Sequence, residues 1–338
     1  HKCKVIDKNY AQLVKEDIID ENLIMNVHNF TDVDSKKLAK DIVNNLKWTG
    51  KNTYIVQVGD QIDRCRPKEN KCIHKNETFE DEASDITILY LMTELNKKAK
   101  KYNSAVISLL GNHELMNVQG RMEYVSYRNI EQFSDPHDDD IEKAMKNREY
   151  FFQKGQKYAK YLACTRKAAV IIGSNCFVHA GIISDYIKDM NGNMTGKESL
   201  VETNIMVRRW LLDKITKNNI DKIISSEKDA NSLFWVRVLG NLPPGLSNTD
   251  PKCERYLEPV LNIYSINNMI IGHTPQHFTH SLSSNSTCIN EKDNKQLIRI
   301  DNGSSRAFQN FERDLNQVSK NREPQVLYIK NDTEIHFL

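Results

Sequence analysis

Two polar blocks, each placed directly after an apolar run, contain the residues whose types could do chemistry. Residues 59–64 (GDQIDR) follow the run 54–58, and residues 111–114 (GNHE) follow the run 105–110. Such runs predict β-strands, and ligands gather at the carboxyl ends of strands in open α/β sheets. One strand end offers carboxylates, and the other offers an amide and an imidazole. This combination indicates a hydrolytic centre that uses two metal ions.

Two later segments repeat the arrangement with one histidine each. His179 follows the predicted strands 168–172 and 176–178, and His273 follows the predicted strand 268–271. Small residues stand beside each histidine, which lets the backbone approach an ion or a phosphate closely. Imidazole and carboxylate ligands together suit Zn, Fe or Mn better than Ca. Four strand ends with metal-binding side chains therefore predict one shared site.

The four motifs, in the order GDxxDR, GNHE, HAG and GHTP, resemble the signature of calcineurin-like metallophosphoesterases. Within that family the chain resembles the Shewanella-like branch of the phosphoprotein phosphatases, through WTG and VQVGD (48–60), GNHELMN (111–117), FWVR (234–237) and IDNGS (300–304). The resemblance extends from about Trp48 to Phe308. It implies an α/β fold, the four-layer αββα sandwich, as a single domain over residues 1–338. The polar helical pattern at about 116–165 is interpreted as a cap-like insertion near the active site.

The resemblance implies a role for each metal-binding residue. Asp60 would bridge two metal ions (Mn, Fe or Zn), and the second ion would also bind Asn112, His179 and His273. Glu114 is expected to hold the loop rather than a metal ion.

The resemblance also implies the catalytic and substrate-binding residues. His113 would act as general acid, and Asp63 would accept a hydrogen bond from it and fix its tautomer. Arg64 would act in catalysis by binding phosphate oxygens with its planar guanidinium. For Arg237, a second phosphate contact and a surface salt bridge stay open. For Tyr124, stacking on a phosphotyrosine ring and a place in the cap core stay open.

The implied reaction is hydrolysis of phosphomonoesters on phosphoproteins or phosphopeptides (Ser/Thr or Tyr) by a metal-bound hydroxide. One alternative is a phosphoesterase that acts on nucleotides or dinucleoside polyphosphates. The other is a degenerate phosphate-binding protein, because the family's Asp-x-His motif for the first metal is not found. Three explanations stay open: the motif lies before or at His1, Asn26 and His28 replace it, or the first site is lost.

Composition narrows the class of protein further. The chain has 338 residues, 39% of them hydrophobic, which is enough for a large α/β domain. The net charge of +2 argues against non-specific binding to nucleic acid. No apolar run approaches the roughly 20 residues that span a membrane. The oligomeric state stays open.

The seven cysteines bear on the compartment. No two of these cysteines form a Cys-x-x-Cys motif, so a zinc ribbon is not expected. We predict reduced cysteines in a cytoplasmic protein, with Cys176 as a buried strand residue. The alternative is a secretory or organellar protein whose presequence has been removed, with pairing of Cys65 and Cys72.

Periodicity predicts the elements between the motifs. A helix is expected at about 81–102, with an apolar stripe at positions 88, 91, 92 and 95 that packs on the sheet. Strand, helix and strand in succession predict a parallel sheet. Further helices are expected at 201–221 and 256–264, and antiparallel strands at 296–338.

Overall fold

The computed structural model describes residues 32–67, 72–135, 140–189, 196–215, 220–224, 231–308 and 322–338. Within these ranges the chain forms two main β-sheets, a hairpin and the helices that surround them. The α/β class predicted from the sequence is confirmed. The four-layer order, the single domain and the cap stay predictions. His1, Asn26 and His28, the candidates for the missing motif, lie outside the described residues.

The helices vary from one turn to four turns. They are α1 (Val33–Asn45), α2 (Asp85–Ala99), α3 (Asn112–Val118), α4 (Tyr127–Glu131), α5 (Ile141–Phe152), α6 (Lys157–Thr165), α7 (Ser184–Asp189), α8 (Glu198–Leu211), α9 (Asp221–Ile224), α10 (Pro251–Tyr256), α11 (Glu258–Tyr264) and α12 (Gln276–His280). The helix predicted at 256–264 corresponds to α11. The helix predicted at 201–221 corresponds to α8, which ends at Leu211 and is therefore shorter than predicted.

The first sheet contains three parallel strands in the order β1-β2-β3, which are β1 (Tyr54–Gln57), β2 (Ala105–Leu109) and β3 (Arg166–Lys167). Helix α2 connects β1 to β2, as the succession of patterns predicted. Gln57 pairs with Ser108 at the carboxyl ends of β1 and β2. The turns that follow these two strands therefore lie side by side.

The second sheet contains five strands in the order β4-β5-β6-β8-β7. They are β4 (Ala169–Ile172), β5 (Asn175–Val178), β6 (Asn268–Ile271), β7 (Asn285–Asn290) and β8 (Lys295–Arg299). Strands β5 and β6 are parallel neighbours. They end immediately before His179 and shortly before His273, so this sheet delivers both histidines at one edge.

The antiparallel strands predicted at 296–338 are confirmed at three places, whereas residues 300–308 contain no strand and residues 309–321 lie outside the described residues. Strand β8 is followed by β9 (Leu327–Lys330) and β10 (Glu334–Phe337), which form an antiparallel hairpin.

One hydrophobic core joins both sheets. It includes Leu110 directly after β2, Val178 in β5, Ile271 in β6 and Leu297 in β8, and each is at most 1% exposed. Because one core contains the ends of strands from both sheets, it fixes the polar turns of the first sheet relative to the histidines of the second.

The predicted apolar stripe of helix α2 differs from the observed one. Positions 88, 91, 92 and 95 are only half-buried, whereas Ile86, Leu89 and Tyr90 are buried. The physical reason is that α2 packs against both α1 and β2. Its most buried residues lie between these two partners rather than on a single face towards the sheet.

Disulfide bonds are present in the structure. Cys65 is bonded to Cys72, Cys253 is bonded to Cys288, and Cys164 is also disulfide-bonded. The prediction of reduced cysteines is therefore wrong for these residues, and the alternative pairing of Cys65 with Cys72 is formed. The spacing of the cysteines could not predict this bond, because Cys253 in α10 and Cys288 in β7 come together only in the folded chain. Cys176 is a buried free thiol, as predicted.

In the described parts of the chain, the helices are too short or too polar to traverse a lipid bilayer.

Candidate active site

The two polar turns after β1 and β2 are joined by one buried carboxylate. Glu114 accepts hydrogen bonds from the backbone N–H groups of Asp60 (3.0 Å), Gln61 (2.6 Å) and Gly111 (2.6 Å). A Cβ on Gly111 would lie 2.0 Å from Oδ1 of Asp60, so the contact between the turns requires glycine. The predicted role of Glu114 in holding the loop is confirmed.

The four predicted metal ligands meet at one point. Nε2 of His179 lies 3.3 Å from Oδ2 of Asp60 and 2.8 Å from Oδ1 of Asn112. Nδ1 of His273 lies 3.0 Å from the same Asn112 oxygen and 3.2 Å from Nε2 of His179. In the described residues this is the one group of three or more His, Cys, Asp or Glu side chains whose geometry could hold a metal ion.

The hydrogen bonding of this cluster fits a cation. Nδ1 of His179 lies 2.8 Å from the carbonyl oxygen of Val58, so Nδ1 carries the hydrogen and the lone pair of Nε2 faces the cluster. A carbonyl that accepts from the far ring nitrogen in this way orients metal-binding histidines. The neighbours of Nε2 are the oxygens of Asn112 and Asp60, which are also acceptors. Converging lone pairs of nitrogen and oxygen suit a transition-metal ion or zinc.

The charged groups of the cluster shift one another's pKa values. Burial alone would raise the pKa of Asp60, but His179 and His113 hold it well below its ordinary value. Burial lowers the pKa of His179, and the Asp60 carboxylate more than reverses this effect. Burial and the charge of His179 push the pKa of His273 well below its usual range. The site therefore favours an ionised Asp60 next to a positive charge, which a bound metal ion would supply.

His113 lies beside the cluster and is held by the predicted partner. Its Nδ1 is 2.8 Å from Oδ2 of Asp63, and its Nε2 is 4.0 Å from Oδ2 of Asp60. Asp63 is buried, and Asn117 donates a hydrogen bond of 2.8 Å to its other oxygen. Arg148 donates to the Asn117 side chain at 2.9 Å and lies 3.8 Å from Asp63. His113 thus has one nitrogen fixed and the other directed towards the cluster.

The predicted phosphate-binding arginines are placed differently from each other. Arg64 lies in the cavity wall, but it donates to Glu82 (2.7 Å) and to the carbonyl of Glu80 (2.9 Å). Arg237 is exposed and donates to the carbonyl of His273 at 3.4 Å. Arg237 therefore contacts the backbone of a proposed metal ligand, whereas Arg64 is ion-paired with Glu82. The phosphate-binding roles of both arginines stay predictions.

Tyr124 lies in the cavity wall and is half-buried against the main core. Its ring meets the His113 ring edge-on, with centroids 5.0 Å apart. Tyr124 therefore packs against the core and also lines the cavity. Its stacking on a phosphotyrosine ring stays a prediction.

Sequence reasoning did not identify every residue that shapes the site. Asn117 and Arg148 support Asp63, and Asn117 falls inside the GNHELMN match, which was a usable signal. Arg66 lies in the cavity wall with Nη2 3.5 Å from Nε2 of His113. Its only signal was its place in the charged loop that follows GDQIDR.

The cluster and His113 line a cavity of ≈ 690 Å³. Tyr124, Trp235 and Phe308 contribute aromatic surface to the same cavity. A cavity of this size admits a phosphorylated side chain together with part of its chain.

By sequence, the chain matches one known protein family and several relatives. The sequence profile of calcineurin-like phosphoesterases matches residues 27–277. The chain is 34% identical to an uncharacterized protein of Acanthamoeba polyphaga mimivirus over 242 residues, which are 70% of this chain and 93% of that protein. It is 23% identical to Shewanella-like protein phosphatase 2 of Arabidopsis thaliana over 337 residues, covering 89% of this chain and 72% of that protein.

Solved structures show a similar fold. A cold-active protein tyrosine phosphatase, solved at 1.1 Å, superposes with a TM-score of 0.54 and 18% identity, over 92% of this chain and 76% of that chain. A cold-active protein tyrosine phosphatase of a psychrophilic Shewanella species gives a TM-score of 0.53, again with 18% identity and 92% coverage, over 77% of that chain.

Proposed function

The chain belongs to the calcineurin-like phosphoesterase family, and on this premise we propose that it is a metal-dependent phosphatase that removes phosphate from phosphorylated proteins. The predicted family and its resemblance to the Shewanella-like phosphatases are confirmed. Phosphoester hydrolysis follows from the family. The metal ions, the residue roles and the protein substrate belong to the proposal.

The observation that carries the proposal is the position of His113 beside the converging donor atoms. Asp60, Asn112, His179 and His273 would hold a divalent ion. Ions bound at such a site activate water and polarise the phosphoryl oxygens.

The residues of the chain would perform the remaining steps. His113, with Nδ1 fixed by Asp63, would hold a proton at Nε2 and donate it to the leaving oxygen. Arg237 would bind a phosphoryl oxygen beside His273. Hydrolysis would proceed by direct attack of water, without a phosphoenzyme.

Phosphoproteins are the proposed substrates for two reasons. Two relatives are protein phosphatases by name, the Arabidopsis protein and Shewanella-like protein phosphatase 1 of Plasmodium berghei, with 25% identity over 75% of this chain and 60% of that protein. The cavity is also lined by His113 and by the metal-binding cluster, so a phosphorylated side chain that enters it meets the proposed reactive groups.

The disulfide bonds bear on the compartment. Structural disulfides persist in oxidising compartments and are rare in the cytosol. We infer that the secretory or organellar location fits the chain better than the cytoplasmic location that composition suggested.

The test compares substrate classes with metal-supplemented protein. Phosphotyrosine and phosphoserine peptides should be hydrolysed with a higher kcat/KM than nucleotides or a dinucleoside polyphosphate, and added Mn²⁺ should increase turnover. A higher kcat/KM for the dinucleotide would favour the nucleotide alternative. Tight phosphate binding without turnover under any metal would favour the phosphate-binding alternative.

A further inference from the structure

Arg66 is a cavity residue that the proposed mechanism does not yet use. Its Nη1 donates to the backbone carbonyls of Asp63 (2.9 Å) and Cys65 (2.8 Å). These bonds fold the side chain back over its own turn, towards His113. The preceding residue, Cys65, is bonded to Cys72, so a covalent link closes the loop that carries the arginine.

Two aromatic rings hold the guanidinium in place. Its central carbon lies 5.4 Å from the ring centroid of Tyr124 and 5.1 Å from that of Phe308. Cation–π contacts of this geometry are attractive and limit the motion of the side chain. The guanidinium is therefore oriented before any ligand arrives, which reduces the entropy lost when it binds one.

The other end of the guanidinium faces the proposed reaction centre. Nη2 of Arg66 lies 3.5 Å from Nε2 of His113. In the described chain Arg66 donates to two backbone carbonyls and to no carboxylate, and Nη2 has no acceptor there when Nε2 of His113 carries the proton assigned to it above. Among the described residues Arg66 therefore makes no ion pair. Burial raises the pKa of the cavity residue Asp301, and the Arg66 charge only opposes that rise. The Nη2 end of the guanidinium thus carries a positive charge beside His113.

Arg64 provides a direct contrast only two residues earlier. Its guanidinium binds the Glu82 carboxylate (2.7 Å) and the Glu80 carbonyl (2.9 Å). The Glu82 charge offsets that of Arg64. Of the two arginines in this turn, Arg66 is the one that lies beside His113 and makes no hydrogen bond to a carboxylate in the described residues.

We infer that Arg66 binds a non-bridging oxygen of the substrate phosphoryl group and that Phe308 and the Cys65–Cys72 bond position it for this contact. The inference rests on the proposed function. Arg66 and Arg237 would then hold the phosphoryl group from two sides, with the leaving oxygen directed towards His113. Such charge-assisted contacts select a phosphomonoester dianion over a less charged phosphodiester.

The test measures binding of inorganic phosphate to the metal-loaded full chain by calorimetry, together with kcat and KM for a phosphopeptide. Arg66→Ala should weaken phosphate binding and lower kcat/KM by roughly 10- to 100-fold, the range for a lost hydrogen bond to a charged group. Arg66→Lys should restore part of the affinity, because it returns the charge without the planar fork. Arg255→Ala, which removes an exposed arginine that stacks on Tyr256, is the matched control and should change neither quantity.

Phe308→Leu keeps the arginine and removes one of the rings that hold it. It should weaken phosphate binding by less than Arg66→Ala does, and it keeps the test decisive if Arg66→Ala fails to fold. Unchanged phosphate affinity in Arg66→Ala, with active wild-type protein, would overturn the assignment of Arg66 and leave the proposed function standing. If Arg66→Ala fails to fold, unchanged affinity in both Arg66→Lys and Phe308→Leu would overturn it, because the planar fork and its positioning would then contribute nothing. A wild type that binds phosphate through Arg66 but hydrolyses no phosphomonoester would sustain the assignment and reject the proposed function.

Discussion

Nδ1 of His113 lies 2.8 Å from Oδ2 of Asp63, and this hydrogen bond connects the first sheet's two polar turns across 50 residues of sequence. The backbone N–H of His113 also donates to Oδ1 of Asp60 at 3.1 Å. One residue is therefore fixed both to the buried Asp63 carboxylate and to a proposed metal ligand. This arrangement leaves Nε2 as the nitrogen that can exchange a proton with substrate.

His113→Asn should lower kcat by about 10²- to 10⁴-fold, the usual contribution of a positioned general acid. The loss should be larger for phosphoserine peptides than for p-nitrophenyl phosphate, because nitrophenolate leaves without needing a proton. Steady-state kinetics with both substrates measure the difference. The metal content should equal that of the wild type, and loss of metal would instead make His113 a ligand.

Asn112→Ala and His273→Ala should each release a metal ion, because each removes a donor atom from the converging cluster. Elemental analysis after purification without chelator should show the metal content per chain reduced by about one, since a missing ligand opens the coordination shell. His336→Ala, which alters an exposed histidine on β10, is the matched control. Unchanged metal content in both ligand variants would place the metal elsewhere.

The sequence predicted the residues of the site better than their surroundings. A strand followed by a glycine turn is a local pattern, so Asp60, Asn112, His179 and His273 were identifiable before their convergence was known. The Asp63–His113 hydrogen bond followed from the same motifs. The compartment and the four-layer order remain predictions.

The surroundings depend on tertiary contacts that no local pattern encodes. Arg64 and Arg66 are equivalent by residue type. Only the folded structure shows that Arg64 pairs with Glu82, whereas Arg66 packs on Phe308 beside His113. Arg148 could not be assigned for the same reason. It comes from α5 and reaches Asp63 and Asp85 only after the helices pack.

The Cys253–Cys288 and Cys65–Cys72 bonds should rank in opposite order for their effects on stability and on activity. Replacing Cys253 and Cys288 by Ala opens a loop with a sequence separation of 35 and should cost about 4 kcal/mol of unfolding free energy by loop-closure entropy. Replacing Cys65 and Cys72 opens a loop with a separation of 7 and should cost less, about 2–3 kcal/mol.

The loss of kcat/KM should instead be larger when Cys65 and Cys72 are replaced, because only the Cys65–Cys72 bond adjoins Arg66. Urea unfolding and phosphopeptide kinetics on the two double variants provide the comparison. Each serves as the control for the other. Equal kcat/KM in both variants would mean that the bond next to Arg66 does not position it.

The buried pair of Asp85 and Arg148 should make stability depend on pH. Their side chains are 2.8 Å apart, and burial raises the pKa of Asp85 from 3.8 to about 6 despite the arginine. Because the folded state binds this proton more tightly than the unfolded state, the stabilisation is complete below the unfolded pKa. It is lost as the pH rises through the folded value.

Asp85→Asn removes this titration, so the stability of the wild type relative to the variant should fall by about 3 kcal/mol at most between about pH 4 and pH 8. The variant also breaks a buried ion pair, so the informative quantity is this change with pH rather than the offset between the proteins. Urea unfolding of both proteins across that range measures it, with Asp34→Asn on the exposed face of α1 as the matched control. A relative stability that rises with pH would mean that Arg148 keeps Asp85 ionised and that burial does not dominate.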